Sequence, residues 1–276
     1  MNDHTDAPAE RHRLDGRVAV VTGAAGGIGT AIAQRLAALG AGVALLDLPR
    51  AATELEHLRR TLPTRGLAGV CDIADPDSVA AAAERVHAQL GGCDILVNNA
   101  GVLGRHASLD GMDLADWDRL MDVNLRGPFL CTRAFGALML ARGRGSIVNI
   151  ASIAAGKPNA SPAYSVSKAG VLALTRHTAV EWGPRGVRAN AVSPGFIRTP
   201  LSAVHYASDE MLQWRTGLVP VRRLGTTGDI ADAAAYLASD AAGFVNGQDL
   251  IVDGGFLETP LMHAQPKADQ YGGHGH

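Results

Sequence analysis

Cysteine, lysine and aromatic side chains are scarce in this chain, and each shortage excludes something. The three cysteines, Cys71, Cys93 and Cys131, form no CxxC pair. A disulfide scaffold and a thiolate zinc site are therefore not expected, and a reduced interior is. The basic residues number 25 against 27 acidic ones, for a formal charge of −2. Such a balance supplies no basic face for nucleic acid or for an anionic membrane, and neither partner is expected. No apolar run approaches the length of a membrane span. The opening segment 1–13 is polar and charged, without the apolar stretch of a secretory signal, so the expected location is cytoplasmic. The histidines are scattered, and those near the end (His263, His274, His276) are read as solvent-exposed, so no metal site is expected.

What the sequence does contain is apolar bulk, 47% of 276 residues, enough for one large core. From Arg17 onward, short Val/Ile/Leu-rich runs alternate with longer Ala/Leu/Arg/Glu-rich segments. Continuous apolar strands of this kind are buried on both faces, as in a parallel sheet. Strands are predicted at Val18 to Val21, Gly42 to Leu46, Leu67 to Val70, Ile95 to Asn98, Ser146 to Ile150, Val187 to Val192 and Leu250 to Val252. Helices are predicted at Gly27 to Leu39, Ala51 to Leu62, Pro76 to Leu90, Ala115 to Ala141, Ser161 to Trp182 and Asp229 to Ala238. Asp75 before Pro76 gives an N-cap with a first-turn proline, and Gly40 and Gly91 supply stops. The crossovers suit right-handed βαβ units. The expectation is one α/β domain over 14–258 of Rossmann type, a doubly wound parallel seven-stranded sheet with helices on both faces. It is flanked by a mobile segment 1–13 and a polar tail 259–276.

Three constellations carry chemistry. Thr22-Gly23-Ala24-Ala25-Gly26-Gly27-Ile28-Gly29 follows the first strand and runs into a helix. Glycine there allows a tight turn and close backbone approach, and the helix N-terminus offers N–H groups and positive dipole to a pyrophosphate. Asp47 ends the second strand, where a carboxylate accepts from both ribose hydroxyls and repels a 2′-phosphate. That favours NAD over NADP, although Arg50 could soften the exclusion and Asp47 could merely cap the next segment. Tyr164 and Lys168 lie four apart on one helix face, placing an ammonium where it can favour phenolate. The same spacing also occurs in ordinary surface pairs. Ser152 follows the fifth strand, where α/β sheets place ligands, and its hydroxyl can donate to a substrate oxygen that gains negative charge. A turn or cap residue would look the same.

As an ordered set, these residues resemble the short-chain dehydrogenase/reductase family in its classical form, over about Leu14 to Gly255. The match rests on the turn at Thr22 to Gly29, Asn98-Asn99-Ala100-Gly101, Asn124, Ser152, Tyr164-x-x-x-Lys168 and Pro194-Gly195. The resemblance implies that Tyr164 is the acid/base, that Ser152 polarises the substrate oxygen, and that Lys168 lowers the Tyr164 pKa and holds the nicotinamide ribose. Asn124 would join a proton relay through water, unless it only stabilises a helix distortion. In the cofactor site it implies Gly23, Gly27, Ile28, Gly29 and Asp47, Asp72 at the adenine with Ile73 beside it, and Asn98 and Ala100 on the adenine-ribose side. Pro194, Gly195, Ile197 and Thr199 would lie at the nicotinamide. Asn98 and Asn99 could instead pin neighbouring strands.

The implied activity is NAD(H)-dependent hydride exchange between nicotinamide and a small secondary alcohol or ketone, by a homotetramer. One alternative is a 3-oxoacyl-carrier-protein reductase using NADPH, against which Asp47 argues. An enoyl reductase would space its Tyr and Lys more widely. From another class, a dinucleotide-sensing protein without turnover would have no need of Ser152, Tyr164 and Lys168 together. Segments 102–112, 153–160 and 196–218 are expected to form the substrate wall, with His106, His205, Tyr206, Met211 and Trp214 as candidates. The substrate itself is left open.

Overall fold

The computed structural model describes residues 10–199 and 208–259. Seven strands, β1 (Val18–Thr22), β2 (Gly42–Asp47), β3 (Gly66–Val70), β4 (Ile95–Asn98), β5 (Gly145–Ile150), β6 (Val187–Pro194) and β7 (Asp249–Val252), form one sheet in the order β3-β2-β1-β4-β5-β6-β7. All pairs are parallel. Ala19 of β1 pairs with Val43 on one side and Ile95 on the other. The strand order reverses there, and a crevice opens beyond the carboxyl ends of the strands.

The helices are α1 (Gly27–Ala38), α2 (Ala52–Thr61), α3 (Pro76–Leu90), α4 (Leu114–Met121), α5 (Gly127–Arg142), α6 (Pro162–Trp182), α7 (Asp209–Leu218) and α8 (Thr227–Ala238). Both faces of the sheet are covered, which is why its central strands read as unbroken apolar runs. Neighbouring residues serve opposite cores: Val21, Leu45 and Val97 pack with Ile32, Leu36 and Ile230, while Val20, Leu46 and Leu96 pack with Val86, Phe135 and Met139. The predicted stops lie where glycine is needed. Gly91 ends α3 in the left-handed region at φ 90°, and Asp75 caps that helix by accepting from the Asp77 N–H.

Two expectations are corrected. The single helix predicted over 115–141 is broken by a π-helical turn at Asp122–Arg126, where the Gly127 N–H returns to the Asp122 carbonyl, five residues back. Pro128 has no N–H to offer the Asn124 carbonyl four residues before it, so a regular α-helix could not run through this point. Helix α7 was not anticipated. Its start signal, Ser208 accepting from the Met211 N–H with Asp209 and Glu210 in the first turn, precedes a segment with no buried residue and so no clear apolar stripe. Within the segment expected to be mobile, Glu10–His12 form a 3₁₀ turn, and Arg11 donates to the Asp240 carbonyl at 2.9 Å. The rest of the expected mobile segment, and the tail beyond Thr259, lie outside the described residues. Among the described residues, no helix is long and apolar enough to cross a membrane.

Candidate active site

A cleft of about 810 Å³ runs along the carboxyl ends of β1 to β6. Its floor at β1 is the glycine-rich turn, with Gly23, Gly27, Ile28 and Gly29 all on the wall. No side chain caps α1 at Gly26, so the first-turn amides of that helix face the cleft with the positive end of its dipole. The turn leaves no space to spare. Gly23 has φ +64°, and a Cβ on Gly29 would lie 2.1 Å from the Gly23 carbonyl oxygen. Asn99 holds the turn from across the β1–β4 junction: its Nδ2 donates to the carbonyls of Thr22 and Gly23 at 2.9 and 3.0 Å. Its N–H and that of Ala100 donate to the Thr22 hydroxyl, each at 3.1 Å.

Asp47 is fixed at the end of β2, accepting from the N–H groups of Ala25 at 3.0 Å and Leu48 at 2.8 Å. One carboxylate thus ties β2 to the glycine turn and presents its charge to the cleft, with Arg50 on the same wall. Asp72 and Ile73 line the cleft after β3, and the Asp72 carboxylate accepts from the Ala74 N–H at 2.9 Å. Ala100, Pro194, Gly195, Ile197 and Thr199 line it too.

Asn98 does not. It is 3% exposed, and its Nδ2 donates to Thr132 Oγ1 at 3.1 Å and Asn149 Oδ1 at 2.8 Å. Successive side chains alternate across a strand, so Asn98 joins β4 to β5 and α5 while Asn99 turns to the cleft. Cofactor contact by the Asn98 side chain is therefore replaced by the strand-pinning role. Met211 and Trp214 stand exposed on α7, outside the cleft wall, and His106 is exposed outside it in the loop after β4. His205 and Tyr206 lie outside the described residues.

Ser152, Tyr164 and Lys168 meet in the cleft. Ser152 leaves β5 and accepts from the Ala154 N–H at 3.1 Å, so it is a cap and a cleft residue at once. It shares a hydrogen bond with the Tyr164 hydroxyl, which pulls the phenol pKa down against the larger upward push of burial. Lys168 Nζ lies 5.8 Å from the Tyr164 ring centroid and donates to the Ile150 carbonyl at 2.7 Å. Burial lowers its pKa to about 8.

Asn124 stands behind the site, fully buried in the π-helical turn. Its Oδ1 accepts from the Val102 N–H at 2.8 Å, and its Nδ2 donates to the Val102 carbonyl at 2.9 Å and to Ser167 Oγ at 3.3 Å. The side chain clamps the loop after β4 to α6. A Cβ on Gly101 would meet Asn124 Oδ1 at 3.2 Å and Lys168 Nζ at 3.6 Å, so a missing side chain keeps this corner open. The wall also includes residues not singled out from the sequence as site residues, among them Phe196, Arg215 and Phe256. Phe196 and Arg215 fall in the segment 196–218 expected to form the substrate wall, whereas nothing local marked Phe256, which joins them from the loop after β7.

The fold and this site define a nicotinamide-type α/β architecture, and comparison with known proteins places it. The sequence profile of a family described as enoyl-(acyl carrier protein) reductase matches residues 23–257. A D-threitol dehydrogenase of Mycolicibacterium smegmatis is 46% identical over 254 residues, spanning 88% of this chain and 94% of that relative. A cis-4-hydroxycyclohexanecarboxylate dehydrogenase of Sinomonas cyclohexanicum is 44% identical over 242 residues, 87% of this chain and 96% of the relative. The crystal structure of a gluconate 5-dehydrogenase from Burkholderia cenocepacia, in complex with NADP and tartrate, superposes with a TM-score of 0.86 at 37% identity, covering 91% of this chain and 99% of that one. The chain belongs to the short-chain dehydrogenase/reductase family.

Proposed function

We propose that the protein is an NAD(H)-dependent oxidoreductase of secondary alcohols and ketones. The observation that carries this is the convergence of Ser152, Tyr164 and Lys168 in the same cleft as the glycine turn and Asp47. The residues present fit a dinucleotide: an uncapped helix N-terminus for the pyrophosphate, a fixed carboxylate for the adenosine ribose, and a cavity of suitable size. The bound nicotinamide would supply the redox chemistry, accepting hydride from the carbinol carbon or returning it.

The protein's share is proton handling and positioning. In alcohol oxidation Tyr164 Oη takes the hydroxyl proton, and the products are a ketone, a reduced dinucleotide and one proton released to solvent. Ser152 holds the substrate oxygen and stabilises its partial negative charge. Lys168, with a pKa of about 8, can exchange protons near neutral pH and reach the cofactor ribose. Asn124 fixes the wall behind them and would join a water-linked proton relay from Lys168 to solvent.

Asp47 supports NAD by repelling a 2′-phosphate. Arg50 on the same wall supports some acceptance of NADP, the dinucleotide in the gluconate 5-dehydrogenase structure. Tyr164 and Lys168, only four residues apart, favour carbonyl over enoyl reduction, and the named relatives point to hydroxylated or cyclic alcohols. The test is absorbance of NADH and NADPH with a panel of alcohols and ketones. Turnover with NAD and a secondary alcohol is expected, whereas dinucleotide binding without turnover across the panel would favour a sensor. The free, buried cysteines suit a cytoplasmic setting. A homotetramer is the proposed assembly.

A further inference from the structure

The cleft wall is electrically lopsided in a way that hydride transfer does not require. Its acidic residues among those described, Asp47 at the end of β2 and Asp72 after β3, share their end of the cleft with one cation, Arg50. The other cations of the wall, Lys157, Lys168 and Arg215, lie on the segments that follow β5 and β6. Four strand spacings separate β2 from β6, roughly 19 Å. The excess of positive charge is therefore remote from Asp47 and Asp72, toward the end of the cleft where Ser152 follows β5.

Arg215 is held as a recognition group would be. Its guanidinium lies over the Phe196 ring, 5.2 Å from the centroid, and Phe196 packs on Phe256 with centroids 4.6 Å apart and planes at 54°. The ring contact restrains the guanidinium, whose five coplanar N–H donors exceed what one partner takes. A planar fork so fixed matches a carboxylate in bidentate fashion. Lys157 is exposed at the rim and adds longer-range, salt-sensitive attraction.

We infer that the substrate is a secondary alcohol that also bears a carboxylate, and that Arg215 is the specificity-determining residue that binds it. This rests on the alcohol dehydrogenase reading of the same cleft. The test uses the full chain with NAD and a panel of hydroxycyclohexane carboxylates and open-chain hydroxy acids, each paired with its primary amide. The acids should be preferred in kcat/KM by about 10- to 100-fold, as expected of a charged hydrogen-bonded pair. Arg215→Met should collapse that ratio, mainly through KM of the acids, and Arg215→Lys should restore part of it. Added salt should lower the ratio further in the Arg215→Lys variant than in the wild type.

Equal use of acid and amide, an acid-to-amide ratio unmoved by Arg215→Met, or a loss of NADH affinity as the main effect of that change would overturn the inference. Binding separates its failure from that of the underlying reading, because Trp214 adjoins Arg215 and reports on α7. Saturable, Arg215-dependent quenching of tryptophan fluorescence by the acids without any turnover would keep the anion site and remove the dehydrogenase reading. Turnover of neutral alcohols with no acid preference would do the reverse.

Discussion

Lys168 and Tyr164 are pushed toward their neutral forms by the same burial, one pKa falling and the other rising. Lys168 gives up its proton near pH 8 when folded and near 10.5 when unfolded. Between those values the unfolded chain holds more protons, so the stability lost to burying the ammonium is recovered as pH rises. From about pH 7.5 to about pH 9.5 the wild type should gain about 2 kcal/mol relative to Lys168→Met, read from denaturant midpoints. Tyr164→Phe should cut turnover by about 10²- to 10⁴-fold while sparing the dinucleotide Kd, measured by titration. Unaltered turnover would take Tyr164 out of the chemistry. Asp47→Ala should raise the NADP-to-NAD ratio of kcat/KM by on the order of 10- to 100-fold, because a like charge facing the 2′-phosphate is removed. At this scale the sequence was legible where chemistry demands a residue type at a strand end, as for Asp47 and Ser152. It failed at Asn98, because which of two adjacent asparagines faces the cleft depends on where the strand pleat ends.

Among the elements, the glycine turn and the interrupted helix α4–α5 decide the shape of the site. Gly29→Ala would drive a methyl into the Gly23 carbonyl, since even an undistorted Cβ would lie 2.1 Å from that oxygen. The expected result is a loss of about 1–3 kcal/mol in stability together with weakened dinucleotide binding, followed by thermal unfolding and titration. Strands buried on both faces were readable because no polar alternation interrupts them. The break at Asp122–Arg126 was not, although Pro128 was in plain view. Proline is well tolerated in the first turn of a helix, and only knowing that a second helix starts at Gly127 gives it that meaning. Helix α7 escaped notice because its fixed contact runs through Arg215 and Phe196 rather than through an apolar stripe.

At the level of the whole molecule, apolar side chains stand in the open on α5, α6 and β7. Phe129 is 46% exposed, Val166 45%, Val180 79% and Ile251 45%. Such side chains on adjoining surfaces are the expected footprint of subunit contact. Light scattering should report a tetramer at micromolar concentration, and a monomer there would contradict the proposed assembly. In the sequence only the family resemblance pointed to such contacts, because the pattern that buries a helix against its own sheet says little about its outer face.

The glycine turn looks like a local motif, yet its backbone is held by Asn99, 77 residues further along the chain. Pairing among β1, β2 and β3 leaves that turn without these bonds, which only the residues after β4 supply. A fragment stopping short of β4 would carry every glycine of the motif and still lack the hand that shapes it.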